Sequence, residues 1–202
     1  MTRKVRNMPL IILNGPIKSG KSTTARALVD RTDGMIVAFA DALREEVSQM
    51  YGIPMWQLTH PIFKEQHRPL LQQHGTDIRR NLFGDDYWIK KWTRAVGERF
   101  SHWGDLNPTD RFTTDGHTMH VPEGLLIITD DCRFHNERIV AQDYFNAFLV
   151  RLDPNPLHGD DPLQGQHASE VEWRQFVPDF TAPFVPVETR VDMILEALKA
   201  RG

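Results

Sequence analysis

The sequence lacks several features that define whole classes of protein. It has a single cysteine, Cys132, which excludes an internal disulfide and a zinc site made of cysteines. No apolar run approaches the roughly 20 residues that a membrane-spanning helix requires. The apolar stretch behind the basic residues 1–8 is also too short for a signal peptide. We therefore expect a cytoplasmic protein with no membrane partner.

The chain also lacks an excess of positive charge. It has 24 Lys and Arg against 27 Asp and Glu, a net charge of −3, so the whole surface is not built for non-specific binding to nucleic acid. The 40% hydrophobic and 25% charged content is that of a globular protein. A length of 202 residues suits one domain, and no internal repeat or low-complexity tract divides it.

Short apolar runs alternate with helical patterns along the chain, which predicts an α/β fold with a parallel sheet flanked by helices. The predicted buried strands are Leu10–Leu13, Met35–Ala40, Leu125–Ile128 and Ala147–Leu152. The predicted helices are Thr23–Val29, Ala42–Tyr51 with Asp41 as its N-cap, Asn136–Tyr144 and Arg190–Ala200.

Three segments do not fit this alternation. The block Pro61–His102 is helical and amphipathic, with a break at Phe83 and Gly84, and predicts a helical insertion over about 55–102. Residues Ser101–Glu123 have no sustained period and predict a long loop. The segment Asp153–Gln166, rich in Pro, Gly, Asp and His, has the composition of a flexible lid, which we place over about 153–172.

Residues Gly15–Ser22 fit the pattern G-x-x-x-x-G-K-[ST] at every position, between a predicted strand and a predicted helix. In such a phosphate-binding loop, backbone N–H groups surround a polyphosphate, Lys21 reaches the β- and γ-phosphates, and the Ser22 hydroxyl binds Mg²⁺. The pattern predicts ATP and Mg²⁺ as ligands. The candidate nucleotide-binding residues are Gly15, Lys18, Ser19, Gly20, Lys21, Ser22 and Thr23.

Two acidic residues, Asp130 and Asp131, follow the predicted strand Leu125–Ile128. Proteins with this loop hold the water shell of the metal with an acidic residue at the end of a buried strand. The spacing does not decide which aspartate does so. An alternative is that they cap the helix that starts near Asn136.

Several motifs together resemble the phage-type deoxynucleoside monophosphate kinases, over nearly the whole chain. They are Phe39-Ala-Asp-Ala-Leu-Arg44, Leu71-Gln-x-x-Gly-Thr-Asp77 with Arg80, Gly84, Asp86 and Trp88, then Asp131-x-Arg-Phe-x-Asn-Glu137, and His167-x-Ser-Glu170. The resemblance implies a P-loop kinase with a helical subdomain that covers the acceptor and a lid. Such an enzyme moves the γ-phosphoryl group of ATP to the 5′-phosphate of a deoxynucleotide.

The resemblance also implies roles for individual residues. Lys18, Lys21 and Ser22 would bind the triphosphate and Mg²⁺, and Arg133 would lie near the transferred phosphoryl group. Lys21, Arg133 and Asp41 are the candidate catalytic residues. The candidate substrate-binding residues are Asp41, Arg44, Gln72, Arg80, Asp86, Trp88, Arg133, His167 and Glu170. If the gene belongs to a phage, we expect the protein to act in the host cytoplasm. The sequence does not decide whether the chain forms a homodimer.

The chain departs from the family pattern at Ser22, where Asp is frequent, and at Arg44, where Lys is frequent. Some roles have structural alternatives. Arg133 would otherwise pair with Glu137 one turn on, and Trp88 would pack in the core. His167 and Glu170 would orient a base, pair with a lid arginine or cap a helix.

Two other functions are compatible with the same residues. The chain would phosphorylate a hydroxymethyl group on a modified base within DNA, such as 5-hydroxymethyluridine, with the loop Ser101–Glu123 contacting the DNA. Alternatively, it would be a non-catalytic nucleotide-binding switch. Arg80 and Arg133 favour an enzyme, because nucleotide binding alone needs no cations beyond the phosphate-binding loop.

Overall fold

Five short strands form one sheet in the order β2–β3–β1–β4–β5, and every neighbouring pair is parallel. The computed structural model describes residues 10–102, 126–156 and 172–201. The strands are β1 Leu10–Asn14, β2 Met35–Ile36, β3 Ile127–Thr129, β4 Phe148–Leu152 and β5 Phe180–Ala182. The predicted fold class, a parallel sheet flanked by helices, is confirmed.

Helices account for most of the remaining described residues. They are α1 Lys21–Arg31, α2 Phe39–Tyr51, α3 Met55–Thr59, α4 Pro61–Gln72, α5 Asn81–Phe83, α6 Tyr87–His102, α7 His135–Ile139 and α8 Val187–Ala200. Two π-helical segments, Gln73–Arg80 and Val140–Tyr144, continue α4 and α7, and a 3-10 helix spans Glu172–Gln175. In agreement with the prediction, residues 61–102 form helices without a strand.

The two faces of the sheet pack against different helices. All five residues of β1 are buried. Leu10 and Ile12 face one core, which includes α6 and the start of α2, whereas Ile11 and Leu13 face a second core with α1 and α8. This alternation follows from the two-residue period of a strand, and burial on both faces explains its continuous apolar sequence.

The helical insertion has a small core of its own. Val47 of α2, Leu58 of α3 and Leu71 of α4 are buried together, apart from the two cores of the sheet. The helices α3 and α4 therefore pack on α2 and not on the sheet.

Glu46 joins the insertion to α2 through polar contacts. Its carboxylate accepts hydrogen bonds from Tyr87 Oη at 2.8 Å and from His74 Nε2 at 3.1 Å, and it forms ion pairs with Arg79 and Lys91. Burial raises the pKa of Glu46, but these hydrogen bonds and charges outweigh it and lower the pKa overall. One charged side chain thus connects α2, the first π-helical segment and α6.

The predicted strand Met35–Ala40 is confirmed only at Met35–Ile36, and the predicted N-cap at Asp41 is wrong. The strand β2 ends at Ile36, and α2 begins at Phe39, so Asp41 lies inside its first turn. The first two N–H groups of α2 donate to the carboxylate of Asp131 at 2.8 and 2.9 Å. Because a distant side chain satisfies these donors, the helix starts earlier than the local sequence indicates.

The strand β5 was absent from the predicted elements. Its residues Phe180–Ala182 lie at the edge of the sheet beside β4, and three residues are too few for a recognisable period. The predicted long loop and the predicted lid fall mainly on residues 103–125 and 157–171, outside the described residues. Among the described helices, none has the length and apolar character needed to cross a bilayer.

Trp92 is expected to stabilise the junction between β2 and α2. Its ring stacks on Phe39 with centroids 4.4 Å apart, and its indole N–H donates to the Val37 carbonyl at 3.0 Å. Trp92→Phe should lower the free energy of unfolding by about 1–2 kcal/mol, because the hydrogen bond and part of the packing are lost.

Urea denaturation followed by circular dichroism measures this change. Trp56→Phe is the matched control, since Trp56 is 55% exposed, and it should change the free energy of unfolding by less than about 0.5 kcal/mol. Equal losses in both variants would contradict the assignment.

Candidate active site

The phosphate-binding loop follows β1, the central strand of the sheet. Gly15 and Gly20 have φ angles of +141° and +88°, in the region that disfavours other residues. A Cβ at Gly15 would lie 2.7 Å from the Leu152 carbonyl oxygen. The helix α1 begins at Lys21, and its preceding residue Gly20 provides no side-chain cap, so the first N–H groups are available to an anion.

The side chain of Lys21 folds back over this loop. Its ammonium donates to the carbonyl oxygens of Gly15 and Pro16, each at 2.7 Å. Ser22 and Thr23, which follow in the first turn of α1, are exposed. The loop therefore presents an ammonium, backbone N–H groups and two hydroxyls at the carboxyl end of β1.

Arg190 of α8 contacts the phosphate-binding loop. This buried side chain donates to the Ser19 carbonyl at 3.0 Å, and its guanidinium lies 5.3 Å from the centre of the Phe184 ring. A groove opens here, which we call the loop groove. It is lined by Lys18, Gly20, Thr23, Thr24, Asn155, Phe184, Val185, Pro186, Val187 and Arg190.

A second cavity opens between the sheet edge and the helical insertion, and we call it the cationic cavity. Its lining comes from α2, α4, the first π-helical segment, α6 and the turn from β3 to α7. The lining residues are Phe39, Ala40, Leu43, Arg44, Lys64, Arg68, Leu71, Gln72, Gly75, Thr76, Arg80, Trp88, Asp131, Arg133, Phe134 and Glu137. Five of them are cations and two are carboxylates.

Both features open at the same edge of the sheet. Ile12 of β1 pairs with Thr129 of β3 in parallel register, so the phosphate-binding loop and the segment Asp130–Arg133 leave the sheet side by side. Ligands of open parallel sheets bind at this edge, outside the carboxyl ends of the strands. The topology thus brings together residues that are more than 100 positions apart in the sequence.

Asp131 connects the end of β3 to the start of α2. Each of its carboxylate oxygens accepts one N–H group, from Phe39 and from Ala40. Burial, together with the adjacent Asp130, raises the pKa of Asp131. Asp131 therefore caps α2, and not the helix near Asn136 that the sequence suggested as an alternative.

Glu137 holds the turn that carries Arg133. Its carboxylate accepts Arg80 Nη2 at 2.6 Å and the backbone N–H groups of Arg133 and Phe134 at 2.9 and 3.1 Å. Burial raises the pKa of Glu137 to about 7, against the opposing charge of Arg80. Both carboxylate oxygens are used, so Glu137 positions its neighbours.

Arg80 is buried and fully engaged within the protein. Besides Glu137, its guanidinium contacts the Asp85 carbonyl at 2.9 Å and lies 3.8 Å from the centre of the Phe134 ring. The residue lines the cationic cavity, as its predicted role requires, but its charge is neutralised by Glu137.

The other predicted substrate residues are distributed unevenly. Gln72, Trp88 and Arg133 line the cationic cavity together with Arg44. Trp88 is also buried and donates its indole N–H to the Gly75 carbonyl at 2.8 Å, so it both packs and lines the cavity.

Of the predicted substrate residues that the structure describes, Asp41 and Asp86 do not line the cavity. Asp41 contacts it indirectly, because its carboxylate accepts Arg44 Nη1 at 2.7 Å. Asp86 is more than half exposed and forms an ion pair with Lys90, so the structure does not bring it to the cavity. His167 and Glu170 lie outside the described residues.

Two cavity cations, Lys64 and Arg68, were not predicted from the sequence. They lie one turn apart on α4, and Leu71, on the next turn, lines the same cavity. This i, i+4, i+7 spacing was a usable signal. It is obscured because the same helix also buries apolar residues.

Comparison with known proteins gives one informative relative. No family model matches the chain. A protein of Acanthamoeba polyphaga mimivirus, named "Putative deoxynucleotide monophosphate kinase", is 27% identical over an alignment of 177 residues that covers 83% of each chain. The resemblance to deoxynucleoside monophosphate kinases is confirmed.

The solved structures that match the chain have lower identity. Shikimate kinase from Aquifex aeolicus is 16% identical, with 95% of this chain and 97% of that chain covered and a TM-score of 0.45. A gluconokinase from Sinorhizobium meliloti is 15% identical, with 96% and 94% covered and a TM-score of 0.43. APS kinase from Mycobacterium tuberculosis is 12% identical, with 96% and 99% covered and a TM-score of 0.41.

Gly15 should tolerate no side chain. Gly15→Ala should lower the free energy of unfolding by about 1–3 kcal/mol, because the backbone is strained at this φ and the methyl group meets the Leu152 carbonyl. Thermal unfolding without nucleotide measures the loss.

Gly52→Ala is the control, because Gly52 also has a positive φ, +65°, but has open space where the methyl group of alanine would lie. It should cost about 1 kcal/mol. A Gly15→Ala variant as stable as Gly52→Ala would contradict the close approach.

Proposed function

We propose that this chain is an ATP-dependent kinase that transfers the γ-phosphoryl group of ATP to the 5′-phosphate of a deoxynucleoside monophosphate. The observation that carries the proposal is the shared sheet edge of the phosphate-binding loop and the cationic cavity. The phosphate-binding loop provides N–H groups and Lys21 for a donor polyphosphate, and the cationic cavity provides cations for a second anion. The name of the viral relative supports the same reaction.

The chemistry demands little covalent assistance from the protein. An oxygen of the acceptor phosphate attacks the γ-phosphorus, a new P–O bond forms, and the bond to the β,γ-bridging oxygen breaks. The electron pair leaves with ADP. Because the acceptor phosphate is already largely ionised near pH 7, no base must remove a proton. What the protein must supply is alignment and positive charge.

On this proposal, the cofactor-binding residues divide between the loop and the loop groove. The N–H groups of Gly15–Ser22 and the ammonium of Lys21 hold the β- and γ-phosphates, and the loop groove receives the base and sugar. Ser22 and Asp130 would hold Mg²⁺ through the hydroxyl and carboxylate oxygens that this ion prefers, while Asp131 holds the start of α2. When bound, Mg²⁺ neutralises charge on the β- and γ-phosphate oxygens.

The acceptor residues line the cationic cavity. Arg44 and Arg133 face the acceptor phosphate, whereas Gln72 and Trp88 lie toward the insertion, where the base would be held. Arg80 acts indirectly, through the Glu137 carboxylate that fixes the backbone of Arg133.

A hydroxyl acceptor on a DNA base is less well supported. A hydroxyl must lose a proton to attack, so it needs a general base. Among the described lining residues of the cationic cavity, the carboxylates Asp131 and Glu137 already have structural roles, since their hydrogen bonds hold the start of α2 and the turn at Arg133. A non-catalytic switch also has no use for five cations around a second cavity.

A coupled ADP-release assay with ATP and Mg²⁺ tests the proposal. The acceptors are the common deoxynucleoside monophosphates and, in parallel, single- and double-stranded DNA containing 5-hydroxymethyluridine. We expect turnover with at least one monophosphate and none with DNA. Lys21→Ala serves as the inactive control and should lower the rate by several orders of magnitude. Turnover with DNA alone would replace this function by the hydroxyl reaction.

Arg133 should act on the moving phosphoryl group more than on ground-state binding. Arg133→Ala should lower kcat by about 10²-fold or more with a smaller change in the acceptor KM, because charge on the transferred oxygens is no longer compensated. Arg133→Lys should recover only part of the rate, since an ammonium cannot span two oxygens. Steady-state kinetics of both variants measures this, and an unchanged kcat in Arg133→Ala would reject the role.

A further inference from the structure

Lys64 extends from the helical insertion into the cationic cavity. It lies on α4, on the same face as Arg68 and Leu71. The cavity is thereby lined with cations from separate elements. Arg44 and Arg133 come from α2 and the sheet edge, and Lys64 comes from the helices that cover it.

The charge of Lys64 differs from that of its neighbours in having no partner within the described part of the chain. Arg44 is paired with Asp41, Arg68 donates twice to Glu65 at 2.8 and 2.7 Å, and Arg80 is paired with Glu137. Across residues 10–102, 126–156 and 172–201, the ammonium of Lys64 forms neither a hydrogen bond nor an ion pair. The side chain is partly buried.

The surroundings of Lys64 make this charge costly. Burial lowers the pKa of Lys64, and the positive charge of Arg44 lowers it further, while Asp131 acts in the opposite direction. A desolvated cation near a second cation is stabilised by an anion placed between them. The cavity therefore has room and charge for an anionic group beside Lys64.

The Nε atom of Arg44 gives independent support. It is buried and has no hydrogen-bond partner among the described residues, and it belongs to a side chain that lines the same cavity. Among the described residues, Arg44 Nε on α2 thus has no acceptor, the ammonium of Lys64 on α4 has no partner, and both side chains line one cavity. An oxyanion that accepts from both would satisfy them.

We infer that Lys64 is a phosphate-binding residue, which holds the 5′-phosphate of the acceptor from the insertion side while Arg44 and Arg133 hold it from the sheet side. This inference rests on the proposed function. It adds a residue that none of the sequence motifs marks.

The position of Lys64 gives the contact a second consequence. The helices α3 and α4 pack on the small core of Val47, Leu58 and Leu71, apart from the cores of the sheet. A phosphate bound between Lys64 and Arg133 would join the insertion to the sheet edge directly.

Kinetics and binding of Lys64→Met test the inference. The KM for the accepted monophosphate should rise at least about 10-fold, because a charge-assisted hydrogen bond is lost, while the KM for ATP stays unchanged. In calorimetry, the variant should lose affinity for the monophosphate but not for the corresponding deoxynucleoside. Lys64→Arg should restore part of the affinity, because it restores the charge.

Lys90→Met is the matched control. Lys90 is an exposed lysine of the same insertion, paired with Asp86 at 2.7 Å outside the cavity, and its loss should leave both KM values unchanged. An unchanged monophosphate KM in Lys64→Met would overturn the inference and leave the proposed function intact. Absence of turnover with any monophosphate in the unmodified protein would overturn both.

If Lys64→Met does not fold, as judged by circular dichroism, Lys64→Gln replaces it and keeps the side-chain length near that of Lys64. A parallel loss of affinity for the deoxynucleoside and the monophosphate would also contradict the inference, because it would indicate a distorted cavity.

Discussion

The carboxylate of Asp131 accepts the first two N–H groups of α2, which holds the end of β3 against the start of that helix. The remaining parts of the site depend on this contact. It places Arg44, one turn into α2, beside the turn that carries Arg133. It also determines where α2 presents Val47, on which the covering helices pack. A charge-assisted cap is among the stronger hydrogen-bonded arrangements in proteins.

Charge pairing separates the cations of the cavity into two groups. Arg80 is buried and its charge is cancelled by Glu137, so its contribution is to the geometry of the turn at Arg133. Removing one member of such a buried pair is strongly destabilising because the other charge remains desolvated. Lys64, in contrast, has no such partner among the described residues, so its charge is available to a ligand. Composition alone cannot make this distinction, since both residues are simply basic.

Strand and helix content was largely predictable from local pattern. The sequence predicted four elements close to their observed bounds, namely β1, β4, α1 and α8. Burial on both faces of a strand and the amphipathic spacing of a helix each produce a pattern in neighbouring residues. The wrong predictions of secondary structure occur where residues distant in sequence form the hydrogen bonds of the backbone. Phe39–Ala40 is helical since Asp131, 91 residues from Ala40, caps it. The edge strand β5 is stabilised by pairing with β4, and it carries almost no periodic signal of its own.

The phosphate-binding loop could be recognised in the sequence, because its chemistry depends on consecutive backbone N–H groups and on glycines at Gly15 and Gly20 that permit their conformation. The motifs likewise indicated Arg44 and Arg133. The packing of elements distant in sequence decided which charged side chains line the cavity. It placed Asp86 outside the cavity, paired Arg80 with Glu137 and placed Lys64 in the cavity lining. Electrostatic roles depend on distance and burial across separate elements, and neither quantity is encoded in the order of residues along one helix.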